Sequence, residues 1–403
     1  VWSTVATATC TNVDPYTKLK GYAMIEWWQR ALGVVAIAAI ASCGAGDLAV
    51  SSACRAAELE VAIHAGAEGD GFISIAGVAV GTDGTAYVLD SGEGSLIAFA
   101  PEGDEVWRVR GQELGITDFA EPGWLHRADT LLVFEDVAGG RLSFWTERGE
   151  WAGSLALDSL GVAGRVVWVG AVGGEGVAAV VEGEEDAESG TPELVLVLAV
   201  AGYGVVDTLD VFAPPSPQVI YVGTHELPVD PPFAAYPSFA VSPDGLIAVT
   251  RGDEYRVAIF DAAGQPYAEI RGRDEAPAVT RADRRAFGRL LPDTLLVDQL
   301  TFPATHPAIT AIATTADGHL LVRTSWTRKD QVRWDRWTLT GEYVDSFMLP
   351  TELLPATGVG NLIYGRSVDE IGAQHLALYN LSGPSTCPGP AAPSGADEAR
   401  GGR

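Results

Sequence analysis

Apolar and polar positions alternate in short blocks along this chain. Runs of four to six mainly apolar residues are cut by turns that contain glycine. The clearest copy is Gly77-Val78-Ala79-Val80-Gly81-Thr82-Asp83-Gly84-Thr85-Ala86-Tyr87-Val88-Leu89-Asp90, followed by Leu96-Ile97-Ala98-Phe99-Ala100-Pro101-Glu102-Gly103. A second copy runs from Phe239 through Asp244-Gly245 to Val249, and then from Val257 through Phe260 to Gly264. In both copies the two turn glycines are 19 residues apart, 84 to 103 and 245 to 264. Blocks this short predict strands, and Asp-Gly suits two-residue hairpins, whose geometry needs positive φ. A recurring strand unit predicts stacked antiparallel sheets, because one sheet cannot bury both its faces alone.

Six inner hairpin turns follow from this pattern: Asp83-Gly84, Ala128-Asp129-Thr130, Gly174-Glu175-Gly176, Asp244-Gly245, Asp317-Gly318 and Gly360-Asn361. Outer turns fall at Gly103, Gly149, Gly202, Gly264, Gly341 and Gly383. Runs such as Leu131–Phe134, Val177–Val181, Leu194–Val200 and Leu320–Val322 are apolar almost throughout, as strands covered on both faces must be. The predicted fold is all-β: a six-bladed β-propeller of four-stranded antiparallel blades. The last blade runs out of chain at His375–Leu381, before a Pro-rich tail. Leu59–Ile63 alternates as a strand should, and is expected to supply the missing outer strand and close the ring.

The repeat resembles NHL-type six-bladed propellers. It is more similar to exported bacterial propellers, TolB-like in their repeats, that carry Asp-Gly-x-x-Tyr-Val-x-Asp followed by Phe-x-x-x-Gly. Here those motifs are Asp83 to Asp90 and Phe99 to Gly103. The match covers residues 59–383 and is strongest in blades one, four and five. Such families often carry Gly-x-Gly-Pro-x-x-Phe after the first blade; here Gly111 to Phe119 departs from it. Gluconolactonase-like propellers hold a metal with Glu, Asp and Asn near the channel. After residue 43 this chain has only Asn361 and Asn380, both in the last blade, so asparagine ligands from two blades are unavailable.

Composition narrows the partners. Lys and Arg number 26 against 53 Asp and Glu, a formal net charge of −27. That balance argues against nucleic acid and against direct binding to anionic lipid. From Met24 the chain resembles a bacterial lipoprotein signal: Arg30, an apolar stretch from Ala31 to Ala41, then Ile40-Ala41-Ser42-Cys43. The stretch is too short to span a bilayer. The resemblance implies lipidation at Cys43. The expected organisation is an upstream segment 1–23, a signal peptide 24–42, a tether 43–58, the propeller 59–386 and a disordered tail 387–403. The expected location is the cell envelope, with membrane contact only through the lipid anchor. Gly44 after the cysteine favours the outer membrane of a double-membraned cell. Cys54 and Cys387 flank the two strands of the closing blade, and either form a disulfide or remain free thiols.

Both hairpin turns of a blade lie on one face, so the middle and inter-blade loops share the other. Those loops are long at 182–192, 213–237 and 273–307, and long loops in a compact fold carry function. Arg271, Arg273, Arg281, Arg284, Arg285 and Arg289 crowd the last of them. Thr280-Arg281-Ala282-Asp283 fits a helix capping box, which would set Ala282, Phe287, Leu290 and Leu291 on the propeller and the arginines outward. Arg281, Arg284 and Arg285 are candidates for an anion or glycan-carboxylate site; the alternative is pairing with the protein's own carboxylates. Trp124 and Trp326, at loop edges, are candidates for stacking on a sugar. Other tryptophans, including Trp145, Trp334 and Trp337, fall in strands and are expected to pack between blades. The run Glu182, Glu184, Glu185, Asp186, Glu188 could take calcium, but lacks the alternating pattern of a dedicated loop and reads as a solvated tip.

No Gly-x-Ser-x-Gly, His-Glu-x-x-His or Cys-x-x-Cys occurs, and the histidines after the signal are scattered over different blades. No cofactor, metal ligand or catalytic residue is predicted. The expected function is a non-catalytic binding or scaffold propeller of the cell envelope. It would present its long-loop face to a glycan, peptide or envelope protein. The alternative is a pore-centred, metal-dependent hydrolase, lactonase or lyase.

Overall fold

The structure, a computed structural model, describes residues 55–63 and 72–381, apart from 57, 112–118, 120–121, 137–138, 174–175, 186–191, 223, 273–274, 290, 292–293 and 370–371. Cys43, Cys54, Cys387, the signal segment and the Pro-rich tail lie outside the described residues.

Six four-stranded antiparallel sheets follow one another along the chain. Blades 1 to 5 span residues 75–110, 122–156, 166–212, 238–271 and 309–350; blade 6 takes 354–380 and the strand Glu58–Ile63. The first strands of successive blades touch in a closed circuit, from blade 1 to blade 6 and back to blade 1. They are therefore the innermost strands and enclose a central channel. They are Ile75–Val80, Pro122–Ala128, Val166–Gly173, Ser238–Val241, Ile309–Thr314 and Leu354–Val359.

The hydrophobic core is divided rather than continuous. A separate buried cluster fills each junction between neighbouring blades: 1 with 2, 2 with 3, 3 with 4, 4 with 5, 5 with 6, and 6 with 1. This is why the middle strands read as unbroken apolar runs. Ser95–Phe99 is buried at all five positions, because alternate side chains enter the clusters on opposite sides. Outermost strands have no such cover; Trp151–Ala156 is exposed at four of its six positions. Trp145 and Trp334 are fully buried in their junctions, while Trp151 on the rim of blade 2 is half exposed.

Ring closure follows the expected pairing. Leu59 lies opposite Tyr379, Ala62 opposite Ala377 and Ile63 opposite Leu376, antiparallel. Ile63 enters the junction of blades 6 and 1 beside Phe72 and Leu376. The expected tether 43–58 needs correction at its end. Arg55–Ala56 runs parallel to Phe347–Met348 on the outer strand of blade 5, and Glu58 already belongs to blade 6. One short peptide thus clasps two neighbouring blades. Two polar rivets tie blade 6 to its other neighbour, blade 1: Tyr364 Oη donates to the Gly84 carbonyl at 2.8 Å, and the Ile75 N–H donates to Gln374 Oε1 at 2.7 Å.

Loop expectations also needed adjustment. Residues 182–185 continue the second strand of blade 3, and Pro192 opens the third, because the apolar hairpin extends its ladder beyond the blade body. Residues 213–237 contain a hairpin, Gln218–Val222 with His225–Val229. Residues 273–307 contain the helix Arg281–Gly288, hereafter α1, and a 3-10 segment, Thr294–Gln299.

Candidate functional site: the insertion cap and the central channel

The two long insertions flank blade 4, one before it and one after it. They fold against each other into a cap with its own small core. Ile220, Leu296 and Leu300 are buried there, with Val229, Phe287, Leu291 and Phe302 packed around them. Phe233 joins this cluster, its ring centroid 5.9 Å from Phe287 and 4.6 Å from His306. Two glutamines lock the insertions together. Gln218 Nε2 donates to the Thr301 carbonyl at 2.8 Å and its Oε1 accepts the Thr301 N–H at 2.6 Å. Gln299 Oε1 accepts the Tyr221 N–H at 2.8 Å and its Nε2 donates to the Tyr221 carbonyl at 3.2 Å. A side-chain amide that reads an extended backbone in this way extends a sheet without a further strand.

Helix α1 starts where the capping box placed it. Thr280 Oγ1 accepts the Asp283 N–H at 3.2 Å, and Asp283 Oδ2 accepts the Thr280 N–H at 2.7 Å. His306 Nε2 lies 3.3 Å from the same carboxylate. Burial pushes the Asp283 carboxyl up, but the Thr280 hydroxyl and N–H and the His306 ring outweigh it and hold it below its ordinary value. The packing surface of the helix differs from the expected one. Phe287 and Leu291 rest in the cap core instead of on a blade, because the hairpin insertion supplies the nearer apolar surface.

The arginines of α1 are exposed, as expected, and their alternative partners are absent among the described residues. Arg108, Arg110, Arg127, Arg141, Arg165, Arg251, Arg256, Arg271, Arg333 and Arg336 all meet carboxylates. No described carboxylate lies within ion-pair distance of Arg281, Arg284, Arg285 or Arg289. Arg284 stacks on Phe302, 5.3 Å from the ring centroid, and Arg285 Nε donates to the Arg281 carbonyl at 3.3 Å. Residues 281, 285 and 289 are spaced by one turn, so they line one side of the helix.

The structure groups the three candidate arginines and leaves the two candidate tryptophans elsewhere. Trp124 sits on the innermost strand of blade 2, 41% exposed, in the channel wall. Trp326 is not at a loop edge. It lies within the second strand of blade 5, His319–Arg328, half-buried, because that hairpin also extends past the blade body.

The channel holds a cavity of about 120 Å³ lined by all six innermost strands. Trp168 and Phe239 form one wall, their ring centroids 5.5 Å apart. His126 Nε2 accepts the Ala171 N–H at 3.0 Å, which puts the ring proton on Nδ1. Burial lowers the His126 pKa to about 4, so the ring is neutral at physiological pH. Arg127 is paired with Glu147 at 2.6 Å. The Thr314 hydroxyl donates to the Val241 carbonyl at 2.7 Å and the Thr357 hydroxyl to the Thr314 carbonyl at 2.9 Å. At the turn face the Asp129 N–H donates to the Pro243 carbonyl at 3.0 Å, joining blades 2 and 4 past blade 3.

Other titratable groups stay dispersed. His319 pairs with Asp317 and His375 with Asp369, each within its own blade. Glu182 pairs with Arg165. Among the described residues no three His, Cys, Asp or Glu side chains converge as metal ligands would. The sequence offers His126 only as one of several scattered histidines that could meet at the pore and Trp168 only as one of the strand tryptophans; Phe239 and the two glutamines were missed. Counting back from each inner turn would have found the channel-lining positions. Nothing in the sequence marks Gln218 and Gln299 as bridges, since each acts on backbone some 80 residues away.

No family model matches the sequence. No curated protein matches it either. Among solved structures the chain is similar to a streptogramin B lyase, with 12% identity, a TM-score of 0.37, and coverage of 82% of this chain and 100% of that one. It is similar to a calcium-binding protein, regucalcin, from Agrobacterium tumefaciens, with 15% identity, a TM-score of 0.38, and coverage of 82% and 96%. A virginiamycin B lyase from Staphylococcus aureus shows 9% identity and a TM-score of 0.35 over 76% of this chain and 94% of that one. At such identities nothing in these names passes to this chain, whose own blades define it as a six-bladed β-propeller.

Proposed function

We propose that the protein is a non-catalytic binding propeller of the cell envelope that uses its insertion cap to hold an anionic partner. The partner is an acidic glycan, or an acidic segment of a peptide or envelope protein. The observation that carries this reading is the contrast among arginines. Among the described residues ten are paired with carboxylates; the four on and just after α1 have none and are gathered on one element, whereas the other exposed arginines without a carboxylate, Arg148 and Arg328, stand apart on separate blades of a chain of net charge −27. A guanidinium beside many available carboxylates and yet unpaired is free to grip an external one. Arg284 is further held in place by Phe302, which lowers the entropy lost on binding. Anchoring through Cys43 belongs to the same reading, and is tested by the mass of the N-terminal peptide of exported protein. An unmodified Cys43 would remove the lipid anchor from the proposal.

The direct test is a charge reversal, Arg281→Glu with Arg284→Glu and Arg285→Glu, against polygalacturonate and poly-glutamate. The native protein should bind at least one of them, more weakly as added salt shortens the screening length below about 8–10 Å. The variant should lose binding by at least about tenfold, from three charge-assisted contacts. Equal binding by both proteins, or none by the native one, would overturn the assignment.

A further inference from the structure

The central cavity differs chemically from the cap. We propose that it is a second binding site, for a small uncharged cyclic molecule that carries one hydrogen-bond acceptor. Four observations point there. First, the wall is largely aromatic and aliphatic, with Trp124, Trp168 and Phe239 contributed by blades 2, 3 and 4, and its polar side chains are His126, Arg127 and three threonines. Trp124 keeps 41% of its surface exposed, an open aromatic face in the wall.

Second, the centre is kept open by the sequence. The residue before the last in the innermost strand is alanine in blades 1, 4 and 5, at Ala79, Ala240 and Ala313, and all three line the cavity. The resulting volume of about 120 Å³ is comparable with an engineered apolar cavity of about 150 Å³ that holds benzene.

Third, no unpaired charge faces the cavity. Arg127 is taken by Glu147, and His126 is neutral because its Nε2 accepts a backbone N–H in a buried setting. An ionised ligand would lose its hydration there without gaining a counter-charge. Fourth, the same backbone contact fixes the proton on His126 Nδ1, and no described group accepts it. The Thr314 and Thr357 hydroxyls, by contrast, already donate to carbonyls. The Thr315 hydroxyl donates to the His319 carbonyl at 3.4 Å, so the His126 Nδ1 proton is the one unspent donor among these lining side chains, and it selects one acceptor on the ligand.

This site is independent of the cap, and its test separates the two. Benzamide, benzoate and toluene share one ring and differ in charge and in acceptor. Each is titrated into the full chain, read by tryptophan fluorescence and by saturation transfer from the indole protons. Benzamide should bind saturably, benzoate at least about tenfold more weakly because its charge goes uncompensated, and toluene should fall between them. Ala313→Phe, which fills the cavity, should abolish benzamide binding. The Arg281, Arg284 and Arg285 charge reversal should leave it unchanged. Should Ala313→Phe fail to fold, the saturation-transfer contact in the native protein decides alone. No saturable benzamide binding, equal binding of benzoate, or benzamide binding that survives Ala313→Phe would each overturn the proposal.

Discussion

Gln218 and Thr301, 83 residues apart, exchange two hydrogen bonds that join the insertion before blade 4 to the insertion after it. Gln299 repeats the arrangement with the backbone of Tyr221. The cap is therefore one unit built from two pieces of chain, and its arginine helix is held by contacts outside its own insertion.

Replacing both glutamines, Gln218→Ala with Gln299→Ala, should loosen the cap without unfolding the ring. Each of these hydrogen bonds contributes about 0.5–1.5 kcal/mol. Limited proteolysis should shift to 213–237 and 273–307, with the main thermal transition nearly unchanged. Cleavage spread over the blades would contradict an autonomous cap.

Glu135 makes stability depend on pH. It is 6% exposed, and no described group hydrogen-bonds its carboxyl. Burial, aided by the neighbouring Asp136 carboxylate, raises its pKa from an ordinary 4.5 to about 7. The folded state thus holds the proton more tightly than the unfolded chain. Stability is full below about pH 4.5, falls as pH rises to about 7, and stays lower beyond. The span corresponds to about 3 kcal/mol. Glu135→Gln should flatten that slope in urea melts between pH 5 and 8; an unchanged slope would refute the assignment.

His126 acts on the acid side with the opposite sign. Its folded pKa of about 4 lies below the ordinary 6.5, so the unfolded chain takes up the proton first. Stability falls as pH drops from about 6.5 to about 4. His126→Asn should remove this acid dependence while leaving the Glu135 slope in place, as urea midpoints across pH 4 to 7 would report.

Blades 4 and 5 share a buried polar centre. Tyr255 Oη donates to Asp335 Oδ2 at 2.7 Å, Trp337 Nε1 donates to Tyr255 Oη at 3.0 Å, and Arg333 Nε donates to Asp335 Oδ1 at 2.7 Å. Tyr255→Phe strands both a donor and a carboxylate oxygen. The expected loss is about 1–3 kcal/mol in denaturant unfolding, against almost nothing for Tyr203→Phe on the exposed rim.

Gly245 tests the turn face. Its φ is +81°, and an added Cβ would stand 2.2 Å from the Val172 carbonyl oxygen of blade 3. Gly245→Ala should cost more than about 2 kcal/mol, from backbone strain plus the displaced blade contact. A thermal shift within error of the native protein would show that the blades slide freely there.

The ring was legible in the sequence because its physics is local. Asp83-Gly84 and Asp244-Gly245 announce hairpins through φ, and Leu96 to Phe99 announces burial on both faces through composition. Even the closing partner of Leu59–Ile63 could be inferred, since blade 6 had only three strands of its own. The cap was only half legible. Thr280 and Asp283 mark a helix start within four residues. What that helix packs on depends on Ile220 and Phe233, which no local pattern links to Phe287. Trp326 and residues 182–185 were misplaced for a related reason: a hairpin may run on past the blade body wherever cross-strand pairs continue, and a sequence period does not record where they stop.

The clasp formed by Arg55–Ala56 and Glu58–Ile63 also sets an order of events in time. Its partners, Phe347–Met348 and Leu376–Asn380, leave the ribosome roughly 300 residues later, a delay of order tens of seconds at ordinary synthesis rates. Until then the earliest part of the propeller has nothing to hold. Five blades can stack as they emerge, yet the junctions of blade 6 with its neighbours on both sides stay wet. Birth of the native state is thus a single late event, and any factor that shields an open sheet edge would act on this protein in that interval.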